Sequence, residues 1–149
     1  MISREICNSI LTVGTDYRNP KGGIASVLNI YSQIYEKFNF VCTTKGSTNI
    51  RKLCVLIYAL VKYSLMLIFG RIRVVHIHGD SYNSFYRKRL FINIGVLLKK
   101  KIVYHIHGGE FHLFASNNPR IIKTFKKCNK IVVLSESWQK YFVESYGLH

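Results

Sequence analysis

The run VVHIHGD at residues 74–80 returns as VYHIHGGEF at 103–111, so that His76 and His78 recur as His105 and His107, 29 positions on. A strand, a crossover helix and a second parallel strand together take about 30 residues. The repeat therefore has the length of one strand–helix–strand unit, and its two HIHG tetrads fall at equivalent strand ends. Side chains alternate along a strand, which puts His76 with His78, and His105 with His107, on one face. The first of each pair is expected deeper in the sheet and the second at its mouth.

The rest of the chain keeps the alternation. Strand-like runs are read at 9–14 (SILTVG), 38–44 (FNFVCTT), 71–79, 101–109 and 130–136 (KIVVLSE). Helical spacing is read at 24–38, where Ile24, Val27, Leu28, Ile30, Tyr31, Ile34 and Tyr35 recur. Further helices are read at 49–69, 83–98, 118–127 and 136–146. Asn19, Pro20, Gly22 and Gly23 break the loop between the first strand and the first helix. The runs Val74-Val75 and Ile131-Val132-Val133-Leu134 lack polar alternation, so both faces of these strands are expected to be buried. The pattern predicts an α/β fold over residues 1–149: a Rossmann-like doubly wound parallel sheet with helices on both faces. A hydrophobic content of 48% excludes a disordered chain. Cys7, Cys42, Cys54 and Cys128 form no CxxC pair and read as reduced core residues of a cytosolic protein. The opening MISREICNSILTVGT has only a short apolar run and an early acid, unlike a signal peptide.

Charge narrows the partner. Twenty-two Lys and Arg against seven Asp and Glu give a net +15, which predicts an anionic partner: nucleic acid, an anionic membrane face or a phosphorylated substrate. The cations clump at Arg87-Lys88-Arg89, at Lys99-Lys100-Lys101 and along Lys123, Lys126, Lys127 and Lys130. Nothing in the sequence resembles a base-reading or base-stacking module, so no nucleic-acid partner is expected. Of the seven acids, Asp16, Asp80, Glu110 and Glu136 each follow an expected strand, along the rim where open α/β sheets bind ligands. Helix capping is the plain alternative for Asp80 and Glu136.

Paired histidines serve three chemistries. Zinc needs a tight ligand cluster, and the inner histidines are expected to be packed into the sheet, so a metal-free site is expected. Serine hydrolysis lacks its GxSxG elbow. Recognition of a sugar or phosphate at the strand ends fits His107, followed by GGE, while His76 and His105 read as core. Gly22 and Gly23 open a helix directly after the first strand, where backbone amides receive phosphate.

These residues carry a resemblance. ILTVGTDYRNPKGGIASVL, RVVHIHGDSYNSFYRKRLFINIGVLLKKKIVYHIHGGEF and IVVLSESWQKYF are similar, in order and over nearly the whole chain, to the N-terminal half of a family 4 glycosyltransferase of the GT-B fold. The resemblance implies two Rossmann-like domains around a cleft, the first taking the acceptor and the second the nucleotide sugar. It implies sugar transfer with retention, to a glycan or lipid-linked acceptor, with no cofactor beyond the nucleotide-sugar substrate. Gly22 and Gly23 would lie by the donor diphosphate, and His107, with Glu110 beyond it, by the transferred sugar. Asp16, His78, Asp80 and Ser135 complete the expected substrate-binding rim. A donor domain is expected to follow in the family but is absent from these 149 residues, which leaves three readings: a natural short protein, one chain of a split transferase with a separate donor-domain chain as partner, or a truncated, inactive gene product; the chain alone is expected to be inactive. The donor domain's Glu-x7-Glu spacing occurs as Glu136 and Glu144, but after the fifth strand and without its glycine context, and is read as coincidence.

LCVLIYALVKYSLMLIFG, residues 53–70, is nearly all apolar and is flanked by Arg51, Lys52, Arg71 and Arg73. Its length allows a membrane span. A span would place the first two strands and the last three on opposite sides of the bilayer. A buried or partner-covered helix and a membrane-surface helix are the other readings. The surface reading implies a peripheral protein on the inner face of the cytoplasmic membrane. Three classes of function follow: a transferase half, a non-catalytic binding or membrane-recruiting subunit, and a charge-driven nucleic-acid binder.

Overall fold

Val41, Val13, Ile77, Tyr104 and Ile131 stand side by side in one row across five parallel strands. The computed structural model describes residues 1–18, 20–45 and 48–148, so Asn19 of the expected loop breakers lies outside the described residues. The strands are β1 (Ile10–Gly14), β2 (Phe40–Cys42), β3 (Val74–Gly79), β4 (Lys101–Ile106) and β5 (Lys130–Val132), in the spatial order β2-β1-β3-β4-β5. The helices are α1 (Arg4–Asn8), α2 (Gly23–Ile34), α3 (Asn49–Phe69), α4 (Asn83–Leu97), α5 (Phe111–Asn117), α6 (Ile122–Phe125) and α7 (Glu136–Tyr146). Helices flank the sheet on both faces, as expected of a Rossmann-like doubly wound fold.

The row-forming face is the core. Val13, Val75, Ile77, Ile102, Tyr104 and Ile106 are buried there beneath α3, α4 and the aromatic cluster Phe85, Phe111, Phe114 and Phe125. Phe142 of α7 packs on Phe111 and closes that layer. α2 lies over the other face, where Tyr31 meets His76 and His78 at ring-centroid distances of 5.9 and 5.4 Å. Right-handed crossovers dictate this division: the chain leaves β1 toward β2 on one side and passes β3 to β5 on the other.

Three expectations change. The expected helix at 118–127 begins earlier, at Phe111, and is broken by a 3₁₀ turn at Pro119–Ile121. Pro119 has no N–H to continue the α5 ladder. The short helix α1 was not read at all. β5 was expected to be buried on both faces. Instead it is a three-residue edge strand, with Val132 at 36% and Leu134 beyond it at 56% exposure. Of the cysteines, Cys54 is exposed rather than core.

α3 keeps its expected bounds. Ala59, Tyr63 and Leu67 form its buried stripe, and the Tyr63 hydroxyl donates to the Phe91 carbonyl of α4 at 2.9 Å. Its opposite side exposes Leu53, Ile57, Val61, Leu65 and Ile68. Among the described residues α3 is the one helix long and apolar enough to cross a membrane, and 17% of its apolar window is buried.

Candidate functional site

The strand order reverses between β1 and β3, and α2 and α4 start on opposite sides of that line. A crevice must open between them at the strand C-termini. Here it is a cavity of about 260 Å³ whose wall includes Lys21, Gly22, Gly23, Asp80, Ser84, Arg87 and Lys88. Gly22 has φ +96, a conformation that suits glycine, and serves as the N-cap of α2. No side chain among the described residues caps α2, so its first-turn amides face the crevice uncapped.

α4 supplies the cations. Phe85, Lys88, Ile92 and Gly95 lie on its buried side, and Lys88 is only 2% exposed. Its Nζ lies 3.5 Å from the Ser84 hydroxyl. Burial, reinforced by the adjacent Arg87 charge, pushes the Lys88 pKa down to about 7. Burial also lowers that of Arg87, whose Nε has no hydrogen-bond partner. Neither cation makes an ion pair among the described residues, and a bound anion would supply that contact, adding to the one carboxylate, Asp80, that acts on Lys88 from the same wall. Asp80 shares the wall with them and its charge opposes the fall in the Lys88 pKa, while the carboxylate is held locally: its Oδ1 accepts from the Ser81 N–H at 2.7 Å, and its own N–H donates to the Ser84 hydroxyl. Tyr82, between them, is held at φ 51, an uncommon conformation for a bulky residue.

The two HIHG tetrads sit beside this crevice. A Cβ on Gly79 would run into the Tyr104 hydroxyl, and one on Gly108 into the Asp80 carboxylate. That is why a glycine follows each histidine pair. His78 and His105 are paired across β3 and β4, and the four imidazoles form a ladder on the α2 side of the sheet. His78 Nδ1 and His107 Nε2 are 2.9 Å apart, a hydrogen bond whose direction depends on the tautomer. Burial lowers the pKa of all four, to about 4 for His76 and His107 and further for His78. The ladder is neutral at pH 7.

The order of depth is the reverse of that expected on β3. His78, placed by the sequence reading at the mouth, is fully buried, whereas His76 is half-buried. Tyr31 covers His78 from α2, and His107 stacks on it from β4 at 5.1 Å. His105, read as core, is half-buried like His107, because α2 shields β3 rather than β4.

Of the expected site residues, Gly22, Gly23 and Asp80 are brought together in the crevice, and Asp80 also borders the loop after His107. Asp16 turns away. It pairs with Arg18 at 2.8 Å and Lys45 at 3.4 Å, and the Arg18 hydrogen bond holds its carboxyl below the usual range. Glu110 is exposed at the start of α5. Ser135 is the N-cap of α7, accepting from the Trp138 N–H at 3.4 Å, and Glu136 is the first residue of that helix. A larger cavity, about 540 Å³, opens between β2 and α3, where Tyr17, Phe40, Tyr58, Lys62 and Met66 form part of its wall. It lies at the sheet edge rather than at the switch point, and it lacks helix N-termini.

No family model, no curated protein and no solved structure matches the chain. Lys88 and Arg87 were missed as individual site residues because the sequence shows them only as part of a basic clump. The signal was present in the spacing: Lys88 stands three residues after Phe85 and three and four before Phe91 and Ile92, on the apolar stripe of its helix.

Proposed function

We propose that this chain is the acceptor-side half of a retaining glycosyltransferase, and that its switch-point crevice receives the diphosphate of a nucleotide-sugar donor. The observation that carries the reading is the convergence of the uncapped α2 N-terminus at Gly22 and Gly23 with the buried Lys88 and with Arg87, whose Nε is buried without a partner. Helix dipole, amides and two poorly hydrated cations all favour a compact polyanion there. His107, next to Asp80 and held by His78, then lies where the sugar is transferred, and Glu110 stands beyond it on the following loop. The aromatic cavity between β2 and α3 suits a glycan or lipid-linked acceptor. A donor-binding unit, in the same polypeptide or a separate one, completes the cleft, and the 149 residues alone do not transfer sugar.

The same reading places the protein on the inner face of the cytoplasmic membrane. The exposed apolar stripe of α3, flanked by Arg51, Lys52, Arg71 and Arg73 in a chain of net charge +15, fits an anionic bilayer surface. The fold argues for surface binding over a span, because strands on both sides of α3 belong to one sheet.

Calorimetric titration with a panel of nucleoside diphosphates, their sugar conjugates and inorganic pyrophosphate tests the crevice. Lys88→Met and Arg87→Ala should each weaken binding of the best ligand at least tenfold. Failure of every ligand to bind, or undiminished binding by both variants, rejects the proposal.

A further inference from the structure

We propose that His76, His78 and His105 form a site for one divalent transition-metal ion of the zinc class, on the α2 side of the sheet. One ring nitrogen from each of the three lies within 4.8 Å of the other two. The ring centroids are 4.2 Å apart for His76 and His78, 5.0 Å for His78 and His105, and 5.7 Å for His76 and His105. Strand geometry explains the triangle: two ligands alternate on β3, and the third comes from β4 in register with His78.

The unpaired atoms point to a ligand. His76 Nε2, His78 Nε2 and His105 Nδ1 are all buried and have no hydrogen-bond partner. A buried polar atom left unsatisfied is costly, and three in one cluster is a concentrated cost that a single Lewis acid removes. Ligation needs a free lone pair on each ring, and His107 provides for that at His78. In the tautomer in which His78 Nδ1–H donates to His107 Nε2, His78 keeps Nε2 as a bare acceptor, and ligation would select that tautomer. A partner that fixes the tautomer of a ligating histidine is a recurring part of metal sites. The expectation of a metal-free site assumed that the inner histidines were packed away. They instead present unpartnered nitrogens to one another.

The donor set selects the ion. Three imidazoles suit zinc, nickel, copper or cobalt, whereas magnesium and calcium demand oxygen. Three protein nitrogens leave a fourth position for water or a substrate atom. Ligands on a tetrahedral zinc ion with bonds near 2.1 Å stand about 3.4 Å apart, so the rings draw together on binding.

The purified chain, stripped with a chelator, is titrated with Zn²⁺ by calorimetry and with Co²⁺ by visible absorption. The readout is ion uptake alone and does not depend on the transferase reading. One equivalent per chain should bind, with micromolar or tighter affinity, and raise the melting temperature. His76→Gln and His105→Gln should each weaken uptake at least a hundredfold, His107→Ala by about 10–100-fold, and His112→Ala not at all. No uptake of either ion by the folded chain overturns the site, as does undiminished uptake in His105→Gln. Where a variant loses its circular-dichroism signature of folding, the imidazole nitrogen signals of the parent decide. Zn²⁺ must shift those of His76, His78 and His105, and shifts confined to other residues overturn the proposal.

Discussion

The two faces of the sheet are built from opposite kinds of residue. Side chains alternate between them along β3 and β4, so both faces are written in the same twelve residues. On one side Val75, Ile77, Ile102, Tyr104 and Ile106 are sealed beneath phenylalanines. On the other, His76, His78 and His105 gather with three ring nitrogens unpartnered, joined by His107 just beyond β4, and Tyr31 covers the first two. The first face is arranged for stability. The second accepts unsatisfied polar groups that an apolar residue would have avoided, and such groups persist where they are used. α4 bridges the two roles: it packs on the sealed face, yet carries Lys88 to the crevice.

Truncation should separate the faces most sharply. Phe85 is fully buried and its ring packs on Tyr104, Phe111, Phe114 and Phe125. Phe85→Ala should lose about 3–5 kcal/mol in urea denaturation. A loss below about 1 kcal/mol would mean that this face is not the stabilising one.

Lys88→Met should act in the opposite direction. The folded-state pKa of Lys88 is about 7, against an ordinary value of 10.5. Between those values the unfolded chain holds a proton that the folded chain does not, so stability rises with pH across that window. The variant should be more stable than its parent by about 1–4 kcal/mol below pH 7, with the advantage fading as pH approaches 10.5. Melts from pH 6 to 10 check this, and a pH-independent difference breaks the assignment of a buried amine.

Ser135→Ala gives the smallest effect. The serine hydroxyl caps α7 at the edge of both faces, so stability should fall by about 1 kcal/mol while diphosphate affinity stays unchanged. A loss of affinity would return Ser135 to the binding rim.

The sequence reads faces well and depths poorly, and the histidines show why. Period-two alternation places His76, His78, His105 and His107 on one side without reference to anything else. Depth depends on what covers that side, and Tyr31 of α2 covers β3 but not β4. The same limit hid Lys88, which looks like surface charge beside Arg87 and Arg89 until α4 is packed with that stripe inward. α3 and α7 were legible to the residue because Thr48 and Ser135 cap their starts and Gly70 and Gly147 end them. α5 was not, because HGGEF reads as a motif and gives no helix signal of its own before Phe111. Asp16, Glu110 and Glu136 were gathered into one rim by their position after strands, but the loops carry Asp16 to a pair of surface cations and leave the two glutamates at helix starts.

The crevice at the strand-order reversal is the centre of this account, and amide hydrogen exchange with inorganic pyrophosphate addresses it most directly. The account predicts slowed exchange at residues 22–26 and 80–88, with the Lys99–Lys101 and Lys123–Lys130 clumps unchanged. Protection confined to those surface clumps, or protection nowhere at a pyrophosphate concentration that saturates calorimetric binding, would contradict it.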